Sequence, residues 1–296
     1  MGKTGKITIF DILNYTWFAL FTLACFFPFY YLFINTISNN DLSSKGLVMF
    51  YPRGFHLNNY MEVFKIPGLG TATLVSIGRT VIGTLLTVAA SGFLGYLFTK
   101  NIMWCRKFWY RFLIVTMYFN AGLIPWFLTM RNLGLFNNFL VYIIPGIVAP
   151  FNIILVKTFI ESTPIALQES AQIDGAGYFT IFRKIVMPLI TPILATIAIF
   201  TAIGQWNSFQ DTLFLVTDSN LFTLQFILYR YLNNATSLAT MMKASQGGLG
   251  ADLAHMQTAT SIRTTVSMIV VIPILLVYPF FQRFFVKGIL IGAVKG

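Results

Sequence analysis

The chain has 296 residues, of which 56% are hydrophobic and 10% are charged. Soluble domains carry about 25% charged residues, so this composition excludes an ordinary soluble protein and predicts a polytopic membrane protein. The formal net charge is +11. Most basic residues flank apolar stretches, which is a pattern of membrane topology and gives no reason to expect a nucleic-acid partner.

Six apolar stretches are long enough to cross a bilayer, which takes about 20 residues in a helix. We predict an all-α membrane protein whose six transmembrane helices form one domain over residues 1–296. The predicted spans are residues 15–37, 71–98, 108–130, 138–160, 189–209 and 264–284. The end of the fifth span is the least defined, because apolar residues continue to Val216.

Basic residues indicate how the chain is oriented in the membrane. The short loop 99–107 contains three basic residues and no acidic one. The positive-inside rule places this loop, which includes Cys105, in the cytoplasm. Both termini of this multi-pass protein are then cytoplasmic.

The same orientation assigns the three long connections. The loop 161–188 is predicted to be cytoplasmic, whereas segments 38–70 and 210–263 are predicted to be extracellular. Loops of this length are usually functional or disordered. A short interfacial helix is expected at residues 58–64.

Charged residues near the spans argue against one class of transporter. Arg79, Arg263 and Arg283 lie near span edges, where we expect their side chains to snorkel toward water. The alternative for Arg79 and Arg263 is that they help an acidic sugar to enter. No Asp or Glu lies in the middle of a predicted span. Ion-coupled carriers often depend on buried ionisable groups, so the pattern disfavours a carrier that acts alone.

The loop 161–188 carries the most specific pattern in the chain. Thr163 and Pro164 predict a helix start, because Thr can cap free N–H groups and Pro fits the first helical position. A short helix is predicted over residues 165–174, with Gly175 ending it.

The spacing within this loop resembles the EAA loop of ATP-binding-cassette importer permeases. The family pattern is E-A-A, three residues, G, nine residues and I-x-L-P, and the matching residues are Glu169, Ala171, Gly175, Ile185 and Pro188. Ser170 replaces the second alanine and Met187 replaces the leucine. The resemblance implies a type I importer permease fold, in which this loop forms a coupling helix that docks into a cytoplasmic ATPase. It assigns the coupling role to Glu169, Ser170, Ala171, Asp174, Gly175 and Pro188.

Other segments resemble the LplC-like oligosaccharide branch of the carbohydrate importers in this family. They are residues 120–125 (NAGLIP), 132–135 (NLGL) and 205–209 (QWNSF). Aromatic rings stack on sugar C–H faces, and amides bond sugar hydroxyls. The solute-pathway candidates are therefore Tyr118, Asn120, Trp126, Gln205, Trp206, Asn207 and Gln210. Aromatic residues in membrane helices also pack or lie at interfaces, and the paired permease can hold most of the sugar contacts instead.

The resemblance also implies a set of partners. They are a second, homologous permease subunit, two cytoplasmic ATPase subunits, an extracellular sugar-binding lipoprotein, an oligosaccharide and the lipid of a bacterial plasma membrane. The chain has no Gly-rich phosphate loop with Lys, so it is expected to be non-catalytic and to bind no cofactor. ATP and Mg²⁺ would be bound by the partner ATPase. His56 and His255 are isolated, so no metal site is expected.

Two alternatives to sugar import stay open. The EAA pattern also occurs in importers of peptides, amino acids and phosphate, so the solute class depends on the less specific motifs. A more distant alternative is an ion-coupled carrier that works without an ATPase.

Overall fold

The computed structural model describes residues 8–233 and 259–293. Within these residues the chain forms helices and connecting segments without any β-strand, so the predicted all-α fold is confirmed. The chain divides into two compact units, which are drawn from Met1–Ile66 with Arg230–Ile272 and from Pro67–Tyr229 with Pro273–Gly296.

Helix α1 of the first unit, Ile9–Thr36, begins at a capping box. Asp11 Oδ2 accepts from the Thr8 N–H at 2.9 Å, and Thr8 Oγ1 accepts from the Asp11 N–H at 3.3 Å, which satisfies two backbone donors at the helix start. The helix is about 42 Å long, which exceeds the roughly 30 Å of a hydrocarbon core. Its apolar side chains are exposed over most of its length, as lipid-facing side chains would be.

Two short helices follow α1 in the first unit, α2 (Asn40–Ser44) and α3 (Asn58–Phe64). The helix predicted at residues 58–64 is therefore confirmed. Asn59 Nδ2 donates to the Thr36 carbonyl at 2.9 Å. This bond ties α3 to the buried C-terminal end of α1.

The second unit contains most of the remaining helices. They are α4 (Leu69–Leu97), α5 (Arg106–Tyr118), α6 (Leu123–Asn132), α7 (Pro150–Glu161), α8 (Ala166–Ile173), α9 (Tyr178–Leu189), α10 (Thr191–Asn207) and α11 (Gln210–Leu215). Short 3₁₀ turns lie at Phe139–Tyr142, Ile144–Gly146 and Ser219–Leu221. Residues 224–233 form α12 and Ala259–Ala293 form α13, and each of these helices contributes residues to both units.

Helix α4 is the centre of the second unit and packs against α7 and α10. Its buried face carries small side chains, including Ser76, Gly83 and Thr87, and small residues let membrane helices approach closely. The closest approach is at Gly95, where an added Cβ would lie 2.7 Å from Cγ1 of Val156 in α7. Only glycine fits this position without movement of α7.

Helices α1 and α4 are each long and apolar enough to cross a membrane, as predicted for the first two spans. Among the described residues, two bent pairs would qualify if each were one broken span. Residues 139–146 with α7 bend by 42°, and α9 with α10 bend by 76°. Pro150 begins α7, and Pro188 lies just before the second bend. The total of six spans stays a prediction.

The third predicted span, residues 108–130, is divided between α5 and α6. The backbone turns at Gly122, whose φ is +89°, and Asn120 Oδ1 accepts from the Gly122 N–H at 2.9 Å. Hydropathy does not register this break, because the segment stays apolar on both sides.

Candidate functional site

Helix α8 forms the centre of the loop 161–188, close to the predicted bounds. The predicted cap at Thr163 is wrong, since its hydroxyl donates backward to the Ile160 carbonyl at 2.6 Å. Ile165 takes the N-cap position, and no side chain caps the helix there. Helix α7 therefore ends at Glu161 with Thr163 bonded back to it, and α8 begins at Ala166.

Gly175 ends α8, as the sequence predicts. Its φ is +80°, a left-handed conformation that glycine adopts without the steric cost borne by other residues. The Gly175 N–H donates to the Gln172 carbonyl at 3.0 Å, and the Ala176 N–H donates to the Ala171 carbonyl at 2.9 Å. This pair of bonds is a Schellman motif. It fixes the direction in which the chain leaves α8.

One side of α8 is open to solvent or to a partner. Glu169, Ser170 and Asp174 are exposed. The apolar side chains of Ile165 and Ile173 are also exposed, by 67% and 86%. An exposed helix with acidic and apolar side chains suits a protein interface better than water alone.

The opposite side of α8 packs against other residues of the second unit. Ala171 packs against a buried apolar cluster that includes Phe182 and Ile190. Gln168 is 6% exposed, and its Oε1 accepts from Lys100 Nζ. Burial lowers the pKa of the Lys100 amine, whose nitrogen also lies 4.6 Å from the ring centroid of Tyr96.

In the sequence, Lys100 is a basic residue that indicates topology, and no motif points to Gln168. The structure makes this pair the link between α8 and the segment that follows α4. Tyr96 of α4 adds a link to the next helix of the loop. Its hydroxyl donates to the carbonyl of Tyr178, at the start of α9, at 3.1 Å. The sequence does contain one indication of the position of Gln168. It lies one residue before Glu169, so on a helix its side chain lies on the adjacent face.

The predicted coupling residue Pro188 lies apart from α8, at the C-terminal end of α9. A π-helical turn over Phe182–Val186 precedes it. Pro188 is exposed and lies just before the 76° bend into α10. Pro188 therefore lies at the junction between the loop 161–188 and α10.

A polar cavity of about 370 Å³ lies within the second unit. Its walls come from α4, α6, α10, α11 and the 3₁₀ turns before α7. The lining residues include Arg79, Trp126, Tyr142, Thr201, Gln205 and Asp211.

Arg79 is the charged centre of this cavity and is only 2% exposed. Its Nη2 lies 2.8 Å from Oδ2 of Asp211 and 3.0 Å from Oε1 of Gln205. Its Nη1 donates to the Ser208 carbonyl at 3.2 Å, and its guanidinium lies 4.5 Å from the ring centroid of Tyr142. The charge is therefore compensated within the protein.

The predicted snorkelling of Arg79 is wrong. Arg79 lies roughly 15 Å along α4 from Leu69, and its side chain turns inward to meet α10 and α11. Hydropathy alone did not reveal a partner, because Asp211 lies 132 positions away in the sequence.

The structure brings together two of the predicted solute-pathway residues. Trp126 and Gln205 both line the polar cavity. Trp206 instead lines a separate, apolar cavity of about 280 Å³ with Ile203 and other residues. The remaining candidates are exposed and line neither cavity: Tyr118, Asn120, Asn207 and Gln210.

No family model matches the chain, but individual proteins match its full length. The chain is 33% identical over 297 residues to the polygalacturonan/rhamnogalacturonan transport system permease protein YtcP of Bacillus subtilis (strain 168). The alignment covers 98% of this chain and 100% of that protein. It is 32% identical to Protein LplC of the same organism, with 100% and 98% coverage.

A solved structure has the same fold. It is a bacterial ABC transporter involved in the import of the acidic polysaccharide alginate, with a TM-score of 0.80 and 27% sequence identity. The match covers 96% of this chain and 99% of that chain. With the full-length identities above 30%, these findings identify the protein as a member of the permease family of ATP-binding-cassette carbohydrate transport systems.

Proposed function

We propose that this chain is one transmembrane subunit of an ATP-driven, binding-protein-dependent oligosaccharide importer. In the bacterial plasma membrane it pairs with a second, homologous permease through one six-span domain, with both termini in the cytoplasm. Two ATPase subunits bind ATP and Mg²⁺ below it, and an extracellular lipoprotein delivers the sugar. The full-length similarity to carbohydrate permeases supports this assembly.

Helix α8 is the observation that carries the proposal. It is exposed on one side through Glu169, Ser170 and Ile173, anchored on the other through Gln168, and ended by Gly175. An ATPase can therefore bind the exposed side of α8. The anchored side of α8 then transmits the movement of this helix to α4 and α9. Asp174 lies at the C-terminal end of α8, and Pro188 lies at the end of the loop 161–188 that would move with it.

The mechanism is alternating access. ATP closes the ATPase dimer, the two coupling helices approach each other, and the solute pathway opens outward. Hydrolysis resets the complex. Binding protein and ATP each favour one state, so docking of the loaded binding protein raises the ATPase rate through a shared equilibrium.

Gly175→Val tests the coupling role. Valine at a φ of +80° costs roughly 1–2 kcal/mol, although nothing lies within 4 Å of the added Cβ. We expect normal membrane insertion and a fall in sugar-coupled transport on the order of tenfold, which corresponds to about 1.4 kcal/mol.

Gly177→Val is the matched control. Gly177 also has open space around it, but its φ is −70°, which valine adopts readily. We expect uptake near wild type for Gly177→Val. Normal uptake by Gly175→Val, measured in the complete complex, would contradict the coupling assignment.

A further inference from the structure

The polar cavity presents a hydrogen-bond donor through Gln205. Oε1 of Gln205 accepts from Nε and Nη2 of Arg79 at 3.1 and 3.0 Å. A guanidinium has only donors, so the amide oxygen faces Arg79 and the Nε2 group is turned away from it. Nε2 lies between two glycines: an added Cβ would lie 2.9 Å from it on Gly83 of α4 and 3.4 Å from it on Gly146, which lines the cavity.

The same cavity presents an acceptor through Asp211. Arg79 Nη2 and Ser208 Oγ both donate to Oδ2 of Asp211, at 2.8 and 3.0 Å. Among the described residues, no hydrogen bond reaches Oδ1. The Asp211 side chain is 25% exposed, so Oδ1 can accept from a ligand.

The charges in this cavity favour an uncharged ligand. The guanidinium of Arg79 already contacts Gln205, Asp211 and Ser208, and the ring of Tyr142 lies against it. A ligand carboxylate would have to displace Asp211 from Arg79. It would also be repelled by the Asp211 carboxylate at short range.

We propose that this cavity binds one uncharged sugar unit of the transported saccharide, with Nε2 of Gln205 donating to one hydroxyl and Oδ1 of Asp211 accepting from another. Trp126 supplies an aromatic wall for the C–H face of the ring. The volume of about 370 Å³ lies within the usual range of small-molecule sites, roughly 300–1,000 Å³. This inference rests on the proposed importer function and adds that Asp211 discriminates against a uronate at this position.

The first test measures the charge preference of the cavity without any sugar. Thr201, which lines the cavity, is replaced by cysteine in a chain that carries Cys25→Ala and Cys105→Ser. The assembled complex is treated with anionic, neutral and cationic methanethiosulfonates, and mass spectrometry follows the labelling of this chain. We expect the anionic reagent to react more slowly than the neutral one, on the order of tenfold.

Asp211→Asn should remove this charge preference. Because that substitution leaves Arg79 buried without a counter-charge, the double variant Arg79→Gln/Asp211→Asn serves as a second test of the same point. Failure of Thr201→Cys to react, or equal rates for the anionic and neutral reagents, would overturn the proposal.

The second test measures uptake by the complete complex in proteoliposomes. The probes are trigalacturonate and the neutral trisaccharide obtained by reducing its carboxylates to hydroxymethyl groups. We expect both Asp211 variants to raise the ratio of uronate to neutral uptake several-fold, whatever absolute preference the binding protein sets. Gln205→Leu should lower uptake of the neutral probe, whereas Thr217→Ala, at an exposed position outside the cavity, should leave it unchanged.

The outcomes separate this inference from the proposed function. If the wild-type complex takes up sugars but the Asp211 variants keep the wild-type ratio, the sugar site is wrong and the importer function stands. If the wild-type complex moves no oligosaccharide of any kind, the importer function fails, and with it the sugar site.

Discussion

Gln168 and Glu169 are neighbours on α8 with opposite surroundings. Gln168 is buried against Lys100, whereas Glu169 is exposed. We therefore expect substitution of Gln168 to affect the internal packing of the subunit, and substitution of Glu169 to affect the surface that a partner meets.

Gln168→Leu should destabilise the folded subunit. It removes the acceptor for Lys100 Nζ, and a partly buried donor left without a partner costs about 1–3 kcal/mol. Gln168→Glu keeps an acceptor at this position and is the control. Thermal unfolding of the purified complex should show a lower stability for Gln168→Leu only, and sugar-coupled uptake is measured beside it. Equal stability of the two variants would show that the Lys100–Gln168 bond does not stabilise the subunit.

Glu169→Lys should weaken the association with the ATPase. Charge reversal at an exposed interface position replaces attraction to a basic partner with repulsion, whereas Glu169→Gln removes only the attraction. The amount of ATPase that copurifies with this chain measures the effect. Glu62→Lys is the control, because it reverses a charge in the segment predicted to be extracellular and should leave the ATPase bound. If the Glu169→Lys complex also retains the ATPase, the exposed side of α8 is not the docking surface.

The roles of some of these residues can be predicted from the sequence and the roles of others cannot, for a physical reason. Glu169 and Gly175 are visible because a motif spaces them along one helix. The pairing of Arg79 with Asp211 joins α4 to α11, and nothing local in the sequence reports a contact between such distant segments. The sequence points to Trp126 through its chemistry and to Gln205 through its chemistry and the QWNSF resemblance, and the structure places both at the cavity while leaving Tyr118 exposed.

At the scale of elements, the contact between α4 and α7 depends on the absence of a side chain at Gly95. Gly95→Ala should destabilise the subunit by about 1–3 kcal/mol, because the added Cβ would lie 2.7 Å from Val156 Cγ1. Gly92→Ala is a matched control on the same helix, since its Cβ would lie at an ordinary 3.5 Å from Leu194. Thermal unfolding of both variants is the measurement, and we expect Gly92→Ala to be at least as stable as wild type, because alanine raises helix propensity.

If Gly95→Ala and Gly92→Ala unfold at the same temperature, helix α7 can shift at no cost and the close approach is not a constraint. The comparison is informative because both substitutions raise helix propensity by the same amount. Any difference then comes from packing.

Hydropathy predicts where α1 and α4 lie but not where the other apolar segments bend. Residues 108–130 are interrupted because Gly122 takes a positive φ and Asn120 caps the turn. Apolar residues after Asn207 form the separate helix α11, because the backbone at Ser208 is extended. The backbone conformation of one or two residues causes these breaks in the helices. Hydropathy averaged over some 20 residues cannot resolve them.

At the scale of the whole molecule, the predicted topology can be tested with the native cysteine at position 105. Cys105 is exposed and lies in the loop predicted to be cytoplasmic. In a Cys25→Ala background, a membrane-impermeant thiol reagent should label Cys105 in inside-out vesicles and leave it unlabelled in intact cells. The variant Ser44→Cys in a Cys25→Ala/Cys105→Ser chain, at an exposed position in the segment predicted to be extracellular, should show the reverse pattern.

Labelling of Cys105 from outside intact cells would invert the topology. It would also place α8 on the side of the membrane away from any ATPase, which would remove the basis of the coupling mechanism.

The central claim is that ATP hydrolysed by partner subunits drives an oligosaccharide through this permease. The most direct test is uptake of labelled neutral and acidic oligosaccharides into proteoliposomes that contain the complete complex and its loaded binding protein. We predict uptake with ATP, none with a non-hydrolysable analogue, and none when the ATPase subunits are omitted. Equal uptake by the permease alone, without ATP or ATPase, would contradict the account.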